Sequence, residues 1–138
     1  MLLDQFRLLI HGEHFDVDAF LKDSGLRYNK RWRRGDRSQR GATHKRSGFS
    51  VLLGDGTCLT LDEQTTLASE YLEKNEMELK RLSEFKGASI RNLMIHYVLP
   101  DTPGLCGIPL NVNSNLAYYS LVTGISVTYL IDLEHHCP

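Results

Sequence analysis

The sequence predicts an α+β domain, a two-layer sandwich in which a mostly antiparallel sheet carries its helices on one face. Three observations lead there. Short apolar stretches, some alternating with period two, punctuate the chain as strands. One long stretch has helical periodicity instead. The link between the second and third strands is short enough for an antiparallel pair. At 138 residues a single core is the default, so residues 1–138 are read as one domain.

The expected order is β-α-β-β-α-β-α-β. Phe6 to His11 is short and apolar, a largely buried strand. Asp16 is a good N-cap for the first helix, with Phe15 and Phe20 at staple positions and Gly25 at the C-terminal cap. Tyr28 to Gly35, centred on Trp32, reads as extended. Asp36 to Ser47, bounded by Gly35 and Gly48, reads as a mobile loop. Phe49, Val51 and Leu53 mark a half-buried strand, closed by the turn signal Gly54-Asp55-Gly56.

Thr60 and Glu63 match a capping box at the head of a helix predicted over 62–85. Ala68, Tyr71, Leu72, Leu79, Leu82 and Phe85 form its core stripe, and Gly87 ends it. Ala88 to Leu99 is apolar on both faces, as a central strand would be. A Pro/Gly loop at 100–109 leads to a short helix capped by Asn113 or Ser114 and closed by Gly124. Ile125 to Leu133 alternates cleanly as the last strand.

Net charge is −1, but it is unevenly spread. From Arg27 to Arg46 nine Lys/Arg face one acid, Asp36, giving +8; the remaining seven bases and sixteen acids give −9. A mildly acidic body thus carries one basic arm, which is the main functional clue. Cys58, Cys106 and Cys137 are odd in number and widely spaced, unlike a disulfide framework, which suits a reducing compartment. Met1 to Ile10 lacks the basic start and long apolar run of a secretory signal, and no stretch has the composition of a membrane span. A cytoplasmic location is expected.

Several local motifs resemble one family. Gly12-Glu13-His14-Phe15-Asp16 follows the opening strand, Arg31-Trp32-Arg33-Arg34-Gly35-Asp36 places a basic pair, Gly and Asp after a Trp, and Gly124 to Tyr129 closes the chain. In order and spacing these resemble the bacterial domain-of-unknown-function family 4279. The resemblance covers most of the chain. The sequence departs from the pattern after Asp36, where the basic loop 37–47 is longer and more charged, and Phe49 stands where the family often has a tryptophan. The resemblance implies a bacterial protein and transfers no activity. Small bacterial proteins of this general sort accompany toxins as immunity partners, an association at the level of kind, not of residues.

The chemistry is weighed site by site. Arg31, Trp32, Arg33, Arg34, Asp36, Arg37 and Arg40 form the candidate binding site, because guanidinium groups pair with carboxylates and phosphates and stack on aromatic rings. The plainer reading makes Trp32 a core anchor, Gly35-Asp36 a turn, and the arginines solvated or paired with the acidic long helix. In an extended segment Trp32 and Arg34 face one way, Arg31 and Arg33 the other. His135-His136-Cys137, and His11 with His14, offer metal-binding atoms, but adjacent ligands on a tail fit zinc poorly. G-x-S-x-G, H-E-x-x-H and P-loop patterns are all missing, so no catalytic residue, cofactor or metal is expected. The expected function is a non-enzymatic interaction module, immunity-type or adaptor, docking an acidic protein through the arm. Nucleic-acid binding through the same arm is the first alternative. A small-ligand or hydrolytic site near Cys106 and His96 is the second.

Overall fold

Residues 7–12 alternate in burial along the chain, and that alternation orients the whole sheet. Leu8, Ile10 and Gly12 are buried while Arg7, Leu9 and His11 are only partly covered. The computed structural model of the chain describes residues 6–55, 58–99 and 113–133. Its elements are β1 (Arg7–Gly12), α1 (Val17–Lys22), β2 (Lys30–Trp32), β3 (Ser47–Leu52), α2 (Leu61–Lys74), α3 (Glu76–Glu84), β4 (Ile90–Leu99), α4 (Ser114–Thr123) and β5 (Ser126–Leu133). The sheet runs β2-β3-β1-β4-β5. β1 pairs antiparallel with both β3 and β4, and β2 with β3. Only β4 and β5 are parallel, joined by the crossover that contains α4.

This is the predicted α+β class, with an open, mostly antiparallel sheet and all four helices contributing to one core. Leu8, Ile10, Phe49, Val51, Leu93 and Ile95 point from the strands into it. Phe20 of α1, Ala68 and Leu72 of α2, Leu79 and Leu82 of α3 and Leu116 of α4 meet them. Burying an aliphatic or aromatic side chain of this size is worth roughly 1.5–3 kcal/mol against leaving it exposed.

Asp16 caps α1 as its chemistry suggests, its carboxylate accepting the Ala19 N–H at 3.1 Å. The helix then ends at Asp23, so Gly25 is not its cap residue; Ser24 instead accepts the Leu26 N–H through its hydroxyl. Phe20 stacks on Phe49 (centroids 6.0 Å apart) and meets Phe85 edge-on at 5.3 Å, while the Arg81 guanidinium lies over the Phe20 ring, 4.5 Å from its centroid. This aromatic group fixes α1 against β3 and α3.

The single helix expected over 62–85 is two helices. The Thr60–Glu63 capping box forms in both directions. At Asn75 the helix breaks: its side-chain amide donates to the Tyr71 carbonyl at 2.9 Å, the acceptor its own backbone N–H also uses at 3.1 Å. Such local bonding competes with helical continuation. The predicted core stripe survives the break, with Leu72, Leu79 and Leu82 buried on both sides of it.

Gln64 has a particular task. Arg7 of β1 pairs with Met94, and two residues further along β4 the backbone of His96 meets the Gln64 carboxamide. Gln64 Oε1 accepts the His96 N–H at 2.8 Å, and Nε2 donates to the His96 carbonyl at 2.5 Å. The side chain thereby does for β4 what a neighbouring strand would. Gln64→Leu leaves both buried backbone groups without that amide, and we expect a loss of about 2–4 kcal/mol in urea unfolding.

Tyr71 shows the opposite situation. Its hydroxyl is buried with no hydrogen-bond partner among the described residues, and burial pushes its pKa up to about 12. A raised phenol pKa means the folded state favours the neutral form. The stability tied to it is complete below the ordinary value of 10 and is lost as pH rises towards about 12. Tyr71→Phe is expected to be neutral or stabilising at pH 7 and to flatten the alkaline decline in melting temperature.

Candidate functional site

Trp32 lies on the face of the sheet opposite the core. β2 places Lys30 and Trp32 on that face and Arg31 on the helix face, because Arg31 pairs with inward-facing Phe49 while Trp32 pairs with Gly48. Gly48 is required there. A β-carbon on it would meet the indole at 2.9 Å and the Ile10 carbonyl oxygen at 2.3 Å. The half-exposed indole stacks on His44, 5.5 Å between centroids and 21° between planes. Trp32 as a core anchor is therefore corrected: it is absent from the buried core.

The alternation expected for 31–34 is seen. Arg31 and Arg33 turn to the helix face, where both reach one carboxylate, that of Asp18 on α1. Arg31 approaches it at 3.0 Å, and Arg33 grips both of its oxygens at 2.5 and 3.1 Å. The bonded Arg33, and then the charges of Arg33 and Arg31, hold the Asp18 carboxyl below its ordinary range. The partner is thus α1, not the acidic long helix. Arg34 turns away from both, 4.0 Å from Glu13, and its backbone N–H donates to the Ser47 hydroxyl at 2.8 Å.

Asp36 shapes the arm. Its carboxylate accepts the Arg33 N–H at 2.8 Å and its own N–H donates to the Arg33 carbonyl at 2.9 Å, with Gly35 between them at φ +97°. A side chain at that φ is strained, which explains the glycine. Beyond it, the segment expected as a mobile loop is a hydrogen-bonded hairpin. His44 donates to the Asp36 carbonyl at 2.8 Å, Arg37 bridges Thr43, and Ser38 donates to the Ala42 carbonyl at 2.7 Å. Polar composition suggested a loop because the hairpin buries almost nothing; its order comes from backbone bonds that leave no hydrophobic trace.

The hairpin stands beside the sheet face that no described helix covers and makes clefts with it. The largest, about 720 Å³, is lined by Arg7, Lys30, Arg31, Trp32, Arg37 and Arg40, with Leu9, Asn29 and Ser50 among its other walls. Asp36 is the one acid in this lining, and its carboxylate is engaged by the turn. A second cleft of about 280 Å³ shares Leu9, Trp32 and His44 and adds His11, Lys45 and Arg46. Burial, and then the charge of Arg46, lower the His11 pKa below its ordinary value. A third, about 450 Å³, lies between Glu13, Arg34 and residues 43–46. Arg7 Nε is buried with no hydrogen-bond partner among the described residues.

Of the seven candidate residues, Trp32, Arg37 and Arg40 line the main cleft with Arg31 at its edge; Arg33 and Arg34 do not, and Asp36 serves the turn. Sequence reading missed Arg7, Leu9, His11 and His44 as members of this surface. The period-two pattern of Arg7-Leu8-Leu9-Ile10-His11 carried the signal for the first three, once Leu8 and Ile10 are taken as inward.

His96, named with Cys106 as a reactive pair, is buried, with its backbone held by Gln64. Cys106 lies outside the described residues, as do His135, His136 and Cys137. Among the described residues no three His, Cys, Asp or Glu side chains gather as a metal site, and no helix is long and apolar enough to cross a membrane. No protein-family model, curated protein or solved structure matches the chain.

The Asp18 clamp ties the base of the arm to α1. Asp18→Asn is expected to leave far-ultraviolet circular dichroism unchanged while speeding tryptic cleavage between Arg31 and Arg46. In the wild-type chain the same loosening should occur on acidification. Because the folded pKa is depressed, the clamp is complete above the ordinary carboxylate value and is lost as pH falls through the lower folded one.

Proposed function

We propose that this chain is a non-enzymatic interaction module of the bacterial cytoplasm, immunity-type or adaptor, that docks an acidic protein on its uncovered sheet face. The supporting observation is one cleft in which Arg7, Lys30, Arg37 and Arg40 converge around a partly exposed Trp32. Like charges gathered on one side of an acidic body repel one another, and an incoming carboxylate-rich surface relieves that repulsion. Exposed apolar side chains on the same sheet face, Leu52 and Ile90, suit a protein surface with mixed contacts. The bacterial setting rests on the motif resemblance to family 4279, and the reducing compartment on cysteine usage.

Nucleic acid is the second reading, favoured by Trp32 among bases. Platforms for single strands stack successive bases on several aromatic rings, whereas this cleft has one indole, already stacked with His44.

The two separate by titration. A fluorescent polyglutamate peptide is expected to bind more tightly than a thymidylate oligomer of equal charge, with affinity falling as salt rises. Arg37→Glu with Arg40→Glu is expected to weaken the peptide by at least about tenfold. Tighter binding of the oligomer would instead support nucleic acid, and no effect of the double variant would remove the arm from either reading.

A further inference from the structure

Resting on that docking reading, the chain's own charge layout points to the acidic protein it docks. Two surfaces of opposite sign lie on opposite sides of the sandwich. On one side Lys30, Arg37 and Arg40 stand exposed around the groove, with Leu9 and Trp32 as its apolar part. On the other, α2 buries Ala68, Ser69 and Leu72 and turns Asp62, Glu63, Glu70 and Glu73 outward. Lys74 is the one base of that helix. Leu67 lies within the acidic stripe, 40% exposed, in a cleft of about 350 Å³ that Asp62, Glu63 and Thr66 complete. Among the described residues no ion pair engages Lys30, Arg37 or Arg40, and none engages Asp62 or Glu70. Within one copy these groups cannot meet, because the sheet and its core lie between them.

We infer that the acidic partner is a second copy of this chain, its α2 exterior seated in the basic groove of the first. Each surface is an apolar centre edged by charge: Leu67 among carboxylates, Leu9 and Trp32 among bases. Apolar side chains then cover one another while opposite charges meet around them. A net charge of −1 leaves little overall repulsion between copies, although each copy is strongly polarised. The contact is head to tail. It leaves the α2 exterior of the first copy and the groove of the second free, so association continues into short chains rather than stopping at two.

Sedimentation velocity of the full-length chain tests this. At about 0.02 M salt the mean mass is expected to climb above the monomer as protein concentration rises, and about 0.5 M salt is expected to weaken association at least tenfold. Excess polyglutamate, which competes for the groove, is expected to return the assemblies to monomer; this arm needs no variant, so folding defects cannot obscure it. Arg37→Glu with Arg40→Glu removes one surface, and Asp62→Lys with Glu70→Lys removes the other. Each double variant alone is expected to stay monomeric. Their mixture is expected to form a one-to-one dimer that grows no further, because one variant keeps only its helix face and the other only its groove. The helix variant is also expected to bind polyglutamate as the wild type does. A wild type that stays monomeric while polyglutamate binds overturns the self-docking inference and leaves the acidic-docking reading standing. Assemblies that resist polyglutamate, or that either double variant forms as readily as the wild type, overturn it too, as does a mixture that stays monomeric. A monomer that binds no polyglutamate overturns both readings.

Discussion

The packing of Phe20 against Phe49 is the contact from which the rest of the surface is built. Phe49 is an inward residue of β3, and Phe20 lies nearly parallel to it, closed in by Phe15, Phe85 and the Arg81 guanidinium. These rings set the place of α1, a helix of six residues that is far too short to hold itself together in isolation. Once α1 is placed, Asp18 is placed, and with it the two arginines at the base of the arm. A short helix without local stability thus becomes a rigid fixture because aromatic burial, not helix propensity, holds it.

The charges at the arm's base divide by the strand's pleat. Arg31 and Arg33 spend their charge on Asp18 and anchor the segment, while Trp32 between them emerges on the opposite face. An exposed ion pair contributes little to global stability, yet here it selects which side chains remain available. Asp36 works the same way within the turn: an acid among nine bases attracts notice as a binding residue, and its oxygen is committed to the Arg33 backbone. The bases at the far side of the turn, Arg37 and Arg40, face a cleft whose one acid among the described residues, Asp36, is engaged by the turn.

One-sided burial explains why a binding face exists. Each strand of an antiparallel sheet must hide one face, and here all four helices help to hide the same one. The other retains Arg7, Leu9 and His11 in part exposure, between edge strand β2 and the hairpin on one side and β4 on the other. β5 runs parallel to β4, and α4 adds its packing on the core side.

Much of this was legible in the residues themselves. Local chemistry alone specified the α+β class, the capping box at Thr60 and Glu63, the cap at Asp16, the core stripe and the opposed directions of Trp32 and Arg31, and it narrowed the last helix's cap to Asn113 or Ser114, of which Asn113 accepts the bond. Each is decided within a few neighbours, by a side chain reaching its own backbone or by a strand's period of two. Other features needed the folded chain. The break at Asn75, the pairing of Arg31 and Arg33 with Asp18 rather than with the long helix, and the strand-like use of Gln64 depend on which groups arrive nearby after collapse. The groove belongs with these: Arg7, Trp32 and His44 come from three separate segments, and only the β2-β3-β1 order brings them to one surface. Charge composition is a property of the chain, whereas a site is a property of distances, and those distances are set by the packing of the opposite face.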